Sequence, residues 1–162
     1  MLKLQTYDNK VLENKSEEVK NIDKDLENLV NEMFKIMYEN NGIGLAAVQV
    51  GVLKRLFVMD VPKQGRYVMI NPVIKDFSKD KSIYEEGCLS VPGILAEVER
   101  PAEVTVEYTD LKGKRKTLKA SGVLATCIQH ENDHLDGVLF IDRIDPVEKL
   151  TKMREYRSML QV

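Results

Sequence analysis

The chain has 162 residues, 43% of them hydrophobic and 31% charged, with a formal net charge of -2; such a length buries one sizeable core and predicts a single domain over 1–162. The near-balanced charge excludes a general electrostatic pull toward nucleic acid or an anionic membrane, so neither specific DNA binding nor membrane association is expected. The two cysteines, Cys88 and Cys127, are too few for a disulfide framework and read as reduced thiols. No apolar run approaches the roughly 20 residues needed to span a bilayer, and Met1-Leu2-Lys3-Leu4-Gln5 lacks the apolar segment of a signal peptide. A cytoplasmic location is the default expectation, with an organellar protein that has lost its transit peptide as the alternative.

Residues 1–23 are mixed and polar and predict an irregular arm anchored by Leu4, Tyr7, Val11 and Leu12. Leu26, Leu29, Val30, Met33, Ile36 and Met37 recur at three- and four-residue spacing, which predicts an amphipathic helix over about 24–39. Asp23 is its N-cap and Asn40-Asn41-Gly42 its end. Gly42 to Gly51 then places small residues around one uncharged polar side chain, Gln49. This suits a loop lining a narrow site, because glycine lets the backbone pass close to another group; the plainer alternative is a packed turn with Gln49 on its surface. Without Gly-Lys-Ser/Thr or a full GxGxxG, it is not a phosphate loop.

Arg55–Val61 and Tyr67–Ile70 predict strands joined by a turn at Pro62–Gly65, with Asn71-Pro72 ending the second and Val73–Phe77 continuing as a short extended piece. Residues 78–82 read as exposed, and Glu85 to Pro92 as a shaped loop. Val104–Tyr108 and Lys114–Leu118 flank a turn at Asp110–Gly113 and predict an antiparallel hairpin. A helix follows from an N-cap at Ser121 to about Asp136, closed by Gly137, with Leu124, Ile128 and Leu135 on its core stripe and Val123, Cys127, His130 and His134 on another side. Asp145-Pro146-Val147-Glu148 opens a last helix that Leu150, Met153, Tyr156 and Leu160 would dock.

The only two histidines of the chain lie in Gln129-His130-Glu131-Asn132-Asp133-His134, an HExxH sequence. Positions i and i+4 share a helix face, so His130 and His134 can hold one metal ion while Glu131 reaches a water on it. The bland alternative is two histidines placed together by chance. A catalytic site normally takes three protein ligands and keeps one open position. Cys88, Cys127 and scattered carboxylates are the candidates for the third; Cys127 reads better as a small buried wall residue, and Cys88, in Glu85-Glu86-Gly87-Cys88-Leu89-Ser90-Val91-Pro92, is preferred over a carboxylate. An inert buried cysteine is the alternative for Cys88.

Three blocks, Gly42-Ile43-Gly44-Leu45-Ala46-Ala47-Val48-Gln49, Glu86-Gly87-Cys88-Leu89-Ser90 and Gln129-His130-Glu131-Asn132-Asp133-His134, together make the chain resemble the peptide deformylases. The resemblance runs over essentially the whole chain. It implies an α+β fold, a small single domain with antiparallel sheets around a central metal-binding helix and a C-terminal helix. It implies Cys88, His130 and His134 as metal ligands and Glu131 as general base and acid. Gln49 and the backbone N–H of Leu89 would form the oxyanion site, and Ile43, Gly44, Tyr84, Val123 and Cys127 a methionine pocket. The ion implied is one divalent metal, physiologically Fe(II), with Zn, Ni or Co in purified protein. The activity implied is removal of the N-formyl group from the initiator methionine of nascent chains, with release of formate. A monomer is expected, and the resemblance implies contact with the ribosome near the exit tunnel, for which Lys149, Lys152, Arg154 and Arg157 are the candidate surface; an ordinary solvated helix face is the alternative.

Departures from the family pattern lie mainly away from the chemistry. Tyr7-Asp8-Asn9 and Leu12-Glu13 alter the arm, Gly93-Ile94-Leu95 replaces a stretch that often carries a basic residue, and Tyr84 implies a narrower pocket mouth. Two other classes compete with this reading. A zincin-type endopeptidase would draw a third ligand from downstream carboxylates such as Asp136, Asp142 or Glu148, and a structural metal site would be closed by four protein ligands.

Overall fold

Strand β2 (Leu56–Val61) is an apolar run without alternation because both of its faces are covered. Phe57 and Met59 point into one buried cluster and Leu56 and Val58 into another. In the computed structural model, which describes residues 2–160, β2 is the second strand of a five-stranded antiparallel sheet ordered β1 (Gly44–Ala46), β2, β3 (Gly65–Phe77), β6 (Glu103–Thr109) and β7 (Arg115–Ser121). The start at Met1 and the end at Gln161 and Val162 lie outside the described residues. Helix α1 (Lys24–Glu39) covers one face of the sheet through Leu26, Val30, Met33 and Met37, and helix α2 (Gly122–Leu135) covers the other through Leu124, Ala125, Ile128 and Leu135.

The α1 boundaries follow from local chemistry. Asp23 accepts the amide of Leu26 at 2.9 Å, and the helix ends where Asn41 takes φ 59. The stretch expected as a loop after it is instead the short edge strand β1 (Gly44–Ala46), followed by a 3-10 turn at Ala47–Val50. Both are buried, and Gln49 is 1% exposed, which rules out the surface-turn alternative.

Strand β3 runs Gly65–Phe77 without the break expected at Asn71-Pro72. The pairing with β6 (Glu103–Thr109) slips between Ile70 and Val73, so Pro72, which cannot donate to the ladder, sits in a bulge. Asn71 takes φ 50 there and its amide group holds both main-chain groups of Val19 at 2.8 and 2.9 Å, tying the N-terminal arm to the sheet. The hairpin of β6 with β7 (Arg115–Ser121) matches the sequence expectation.

The largest correction concerns residues 81–101. They form a second, two-stranded sheet, β4 (Lys81–Cys88) with β5 (Val91–Pro101), where a shaped loop was expected over Glu85 to Pro92; Lys79, Asp80 and Lys81 are exposed as expected. In β5 the side chains of Ile94, Ala96, Val98 and Arg100 are buried and those between them exposed, a period of two that Pro92, Gly93 and the charged residues obscured.

Helix α2 starts one residue after Ser121, but that hydroxyl makes no cap; Gln64 Oε1 accepts the Leu124 amide at 3.0 Å instead. Helix α3 (Pro146–Leu160) docks on β5 and the turn at Phe140–Arg143 through Met153 and Tyr156. Leu150 and Leu160, expected to dock with them, are 61% and 56% exposed, because the buried footing spans a single helical turn. The result is a small α+β fold in which two antiparallel sheets flank the central helix α2, with α3 on the outside. None of the helices among the described residues is long and apolar enough to cross a membrane.

Gly137 closes α2 with φ 76, and a Cβ there would lie 2.4 Å from the main-chain oxygen of Glu13. Backbone cannot give way as a side-chain tip can, so Gly137→Ala is expected to destabilise the protein by roughly 2 kcal/mol or more. Urea unfolding checks this; a loss within about 0.5 kcal/mol would show that the arm and the helix end move apart freely.

Candidate metal centre

Two sequence-distant elements meet at the end of β4. Cys88 is its last residue, half-buried, where the chain turns through Leu89 and Ser90 into β5. Opposite it, α2 presents His130 and His134 one turn apart. The Cys88 Sγ lies 3.3 Å from His134 Nε2, and one donor atom from each of the three residues falls within 4.8 Å of the others. Metal–N and metal–S bonds of about 2.0–2.3 Å place tetrahedral donors about 3.5 Å apart, so this set fits one divalent ion with little rearrangement.

The third-ligand alternatives are placed elsewhere. Cys127 is buried, its Sγ 4.0 Å from the Ile43 carbonyl, and it forms cavity wall. Asp136 pairs with Arg55, Asp142 with Lys149, and Glu148 borders a shallow depression with Lys152. The group holds three donors, one short of a closed structural site.

The centre opens into a cavity of about 690 Å³. Ile43, Gly44, Tyr84, Val123 and Cys127 all line it, as do Gln49, Cys88, Leu89, His130 and Glu131; His134 lies beneath, fully buried. Gly93, Ile94 and Leu95 border it too and give that wall an apolar surface. Gly44 is required by space: a Cβ would fall 2.6 Å from Glu131 Oε2 and 2.8 Å from Cys127 Sγ.

Gln49 reaches the centre from the 3-10 turn with its amide fixed at both ends. Its Oε1 accepts the Ala46 amide at 2.9 Å, and its Nε2 donates to Ser90 Oγ at 3.0 Å and toward Cys88 Sγ at 3.5 Å. Ser90, fully buried, was not singled out in the sequence; its place one residue beyond Leu89 in the second block was the available signal.

Four more residues, to which no role was given from sequence although Glu86 and Asp133 stand in two of the three blocks, surround the ligands. His130 Nδ1 bonds Glu86 Oε1 at 2.9 Å, Glu86 is held by both Nε and Nη2 of Arg100 at 2.7 and 3.0 Å, and Asp133 lies between Arg100 and Arg143. Burial pushes the Glu86 carboxyl up, but the bonds from His130 and Arg100 outweigh it and hold it below 4.5. Glu131 differs: burial dominates, its Oε1 has no hydrogen-bond partner among the described residues, and its pKa rises from 4.5 to about 7 despite the opposing charge of His130. His134 is pushed well below 6.5 by burial and by the charges of His130 and Arg100, which leaves it the neutral imidazole that a metal needs. For His130 burial acts downward, but the Glu131 charge and the bonds to Cys88 and Glu86 win, so it is raised well above 6.5. Ion binding must displace that proton.

The sequence profile described as Polypeptide deformylase matches residues 1–150. The chain belongs to that family. A peptide deformylase of Rhizobium meliloti (strain 1021) is 51% identical over 150 residues, covering 90% of this chain and 86% of the relative. One of Pelagibacter ubique (strain HTCC1062) is 49% identical over 166 residues, covering 96% of each. The crystal structure of peptide deformylase from Ehrlichia chaffeensis superposes with a TM-score of 0.94 at 39% identity, over 99% of this chain and 97% of that one. In this deformylase-family chain the three sequence blocks thus end at one cavity: β1 and its turn, the tip of the β4–β5 hairpin, and α2.

The environment of Glu131 predicts a stability effect in metal-free protein. A folded-state pKa raised from 4.5 to about 7 means that the stability associated with the neutral carboxyl is complete below about 4.5 and lost as pH rises through 7. At pH 8 the fold then buries a charge at a cost of about 3 kcal/mol. Glu131→Gln, freed of metal by chelation, is expected to melt higher than the parent protein at pH 8, with the gap closing as pH falls toward 5. Thermal unfolding at the two pH values checks it; a pH-independent gap would contradict the assignment.

Proposed function

We propose that this protein is a metal-dependent amidohydrolase, a peptide deformylase, that removes the N-formyl group from the initiator methionine of nascent polypeptides and releases formate. The observation that carries the reading is the convergence of Cys88, His130 and His134 with Glu131 and Gln49 at one apolar cavity, in a chain of this family. Cys88, His130 and His134 are the proposed ligands. Two imidazoles and a thiolate accept Fe, Co, Ni or Zn without a sharp preference from affinity, and Fe(II) is the physiological ion in this reading. When bound, the ion supplies a Lewis acid that acidifies a water and polarises the formyl carbonyl.

The chain's own residues carry the proton and the charge. Glu131, buried beside His130 and freed of a Cβ neighbour by Gly44, takes a proton from the attacking water. As oxygen adds to the formyl carbon, negative charge grows on the carbonyl oxygen. The Gln49 amide, held in place by Ala46 and Ser90, donates to it, together with the backbone N–H of Leu89. Glu131 then passes its proton to the departing nitrogen, the C–N bond breaks, and formate and a free amino terminus leave. The methionine side chain lies among Ile43, Gly44, Tyr84, Val123 and Cys127, an apolar slot that suits an unbranched thioether.

The protein acts, in this reading, as a monomeric single domain in the cytoplasm, during protein biosynthesis. Ribosome contact would fall to the α3 cations. Lys149 is already bonded to Asp142 at 2.5 Å, and Lys152 faces a depression lined by Glu85, Glu97 and Glu99, which leaves Arg154 and Arg157 as the exposed contributors.

Formate release from a formyl-Met peptide by anaerobically prepared, iron- or nickel-loaded protein tests the activity; its absence overturns the proposal. Loss of an oxyanion donor is worth about 3 kcal/mol, so Gln49→Ala is expected to lower kcat about a hundredfold while still unfolding cooperatively. Unchanged turnover in a folded Gln49→Ala protein removes that residue from the role.

A further inference from the structure

The ion pairs beside the centre form a closed circuit. It leaves α2 at Asp133, crosses to Arg100 of β5 at 2.9 Å and to Glu86 of β4 at 2.7 and 3.0 Å, and returns to α2 at His130 Nδ1 at 2.9 Å. Glu86, Arg100 and Asp133 are each at least nine-tenths buried. Two carboxylates therefore share one buried guanidinium, and when His130 is the neutral ligand the circuit by itself holds one more anion than cation, an imbalance in a place where an uncompensated anion is costly. Arg143, from the turn at Phe140–Arg143, corrects it: Nη2 and Nε grip the two oxygens of Asp133 at 2.8 and 3.1 Å. Its own side chain is 49% exposed, against 12% for Asp133 and 5% for Glu86 and for Arg100.

The two histidines differ in what holds them. His134 Nδ1 is buried with no partner among the described residues, so away from its Nε2 contact with Cys88 that ring is placed by packing. His130 is turned by Glu86, which leaves Nε2 as its free donor. The orientation of one ligand thus depends on how firmly Arg100 holds Glu86.

We propose that Arg143 is a positioning residue for the metal centre. By satisfying Asp133 with a planar two-point bond, it leaves Arg100 committed to Glu86, and Glu86 in turn fixes the His130 ring. Without Arg143, Asp133 draws on the Arg100 guanidinium, Glu86 loses part of its two-point grip, and His130 is released over a range of angles. Partners of this kind typically change metal affinity 10–100-fold when removed. Lysine keeps the charge but cannot reproduce the fork, so it should restore the function only in part. The inference rests on the reading that Cys88, His130 and His134 hold an ion, and on no step of the deformylation reaction.

Cobalt titration of metal-free protein, followed by the visible absorption of the bound ion, tests it on four proteins: the parent, Arg143→Gln, Arg143→Lys and Lys35→Gln, the last an exposed cation of α1 removed as a charge control. Arg143→Gln is expected to bind cobalt about tenfold more weakly with altered bands, Arg143→Lys to fall between it and the parent, and Lys35→Gln to match the parent. Parent-like cobalt affinity and spectrum in a folded Arg143→Gln protein overturn the proposal, even if its melting temperature drops, since that result assigns Arg143 to stability alone. Should Arg143→Gln not fold, Arg143→Lys carries the test, and parent-like affinity there overturns it equally. A parent protein that takes up no cobalt defeats the metal reading itself, and this inference with it.

Discussion

A helix can enter the middle of a protein only if its polar side chains find partners, and α2 buries Gln129, His130, Glu131, Asp133 and His134 within six residues. That constraint organises the rest of the fold. The apolar stripe of α2 packs on the five-stranded sheet, while its polar side requires a second wall able to answer charge with charge. The β4–β5 hairpin supplies it, with Arg100 and Glu86 facing inward, and Gln129 adds a bond to the Pro101 carbonyl at 2.9 Å. The hairpin thus brings Cys88 to the histidines and at the same time neutralises the helix that carries them.

Two buried carboxylates near the same imidazole are driven in opposite directions. Glu86 accepts from a histidine and a guanidinium and stays ionised; Glu131 has no such partner on Oε1 and sits near neutrality. Environment, not residue type, separates an orienting anion from a proton carrier. The same logic separates the cysteines. Cys88 stands at a strand end beside His134, whereas burial and the charges of Glu131 and Glu86 push the Cys127 thiol up and keep it inert.

The substrate cavity is built with comparable economy. Gly44 leaves space for Glu131, Gln49 is clamped from two sides before any ligand arrives, and the wall from Gly93 to Leu95 is apolar. Donors held in place beforehand need no reorganisation when charge develops, which is the condition for strong electrostatic stabilisation in a site shielded from water.

The sequence by itself determined the local facts. It placed α1 with its Asp23 cap, the β6–β7 hairpin, α2 with its Gly137 stop, and the i, i+4 pairing of His130 with His134, because capping, turn chemistry and periodicity are properties of neighbouring residues. The preference for Cys88 over Cys127 and the carboxylates was legible too, from its place between Gly87 and Pro92, and the three blocks pointed the same way. Tertiary structure alone decided the continuity of β3 through Asn71-Pro72, the existence of the β4–β5 sheet, and the exposure of Leu150 and Leu160. It also decided the circuit of Glu86, Arg100, Asp133 and Arg143. Those outcomes depend on which surfaces are covered and which charges meet across 10 to 44 residues of chain, from the Arg143–Asp133 pair to the His130–Glu86 pair, and a local window contains no term for either.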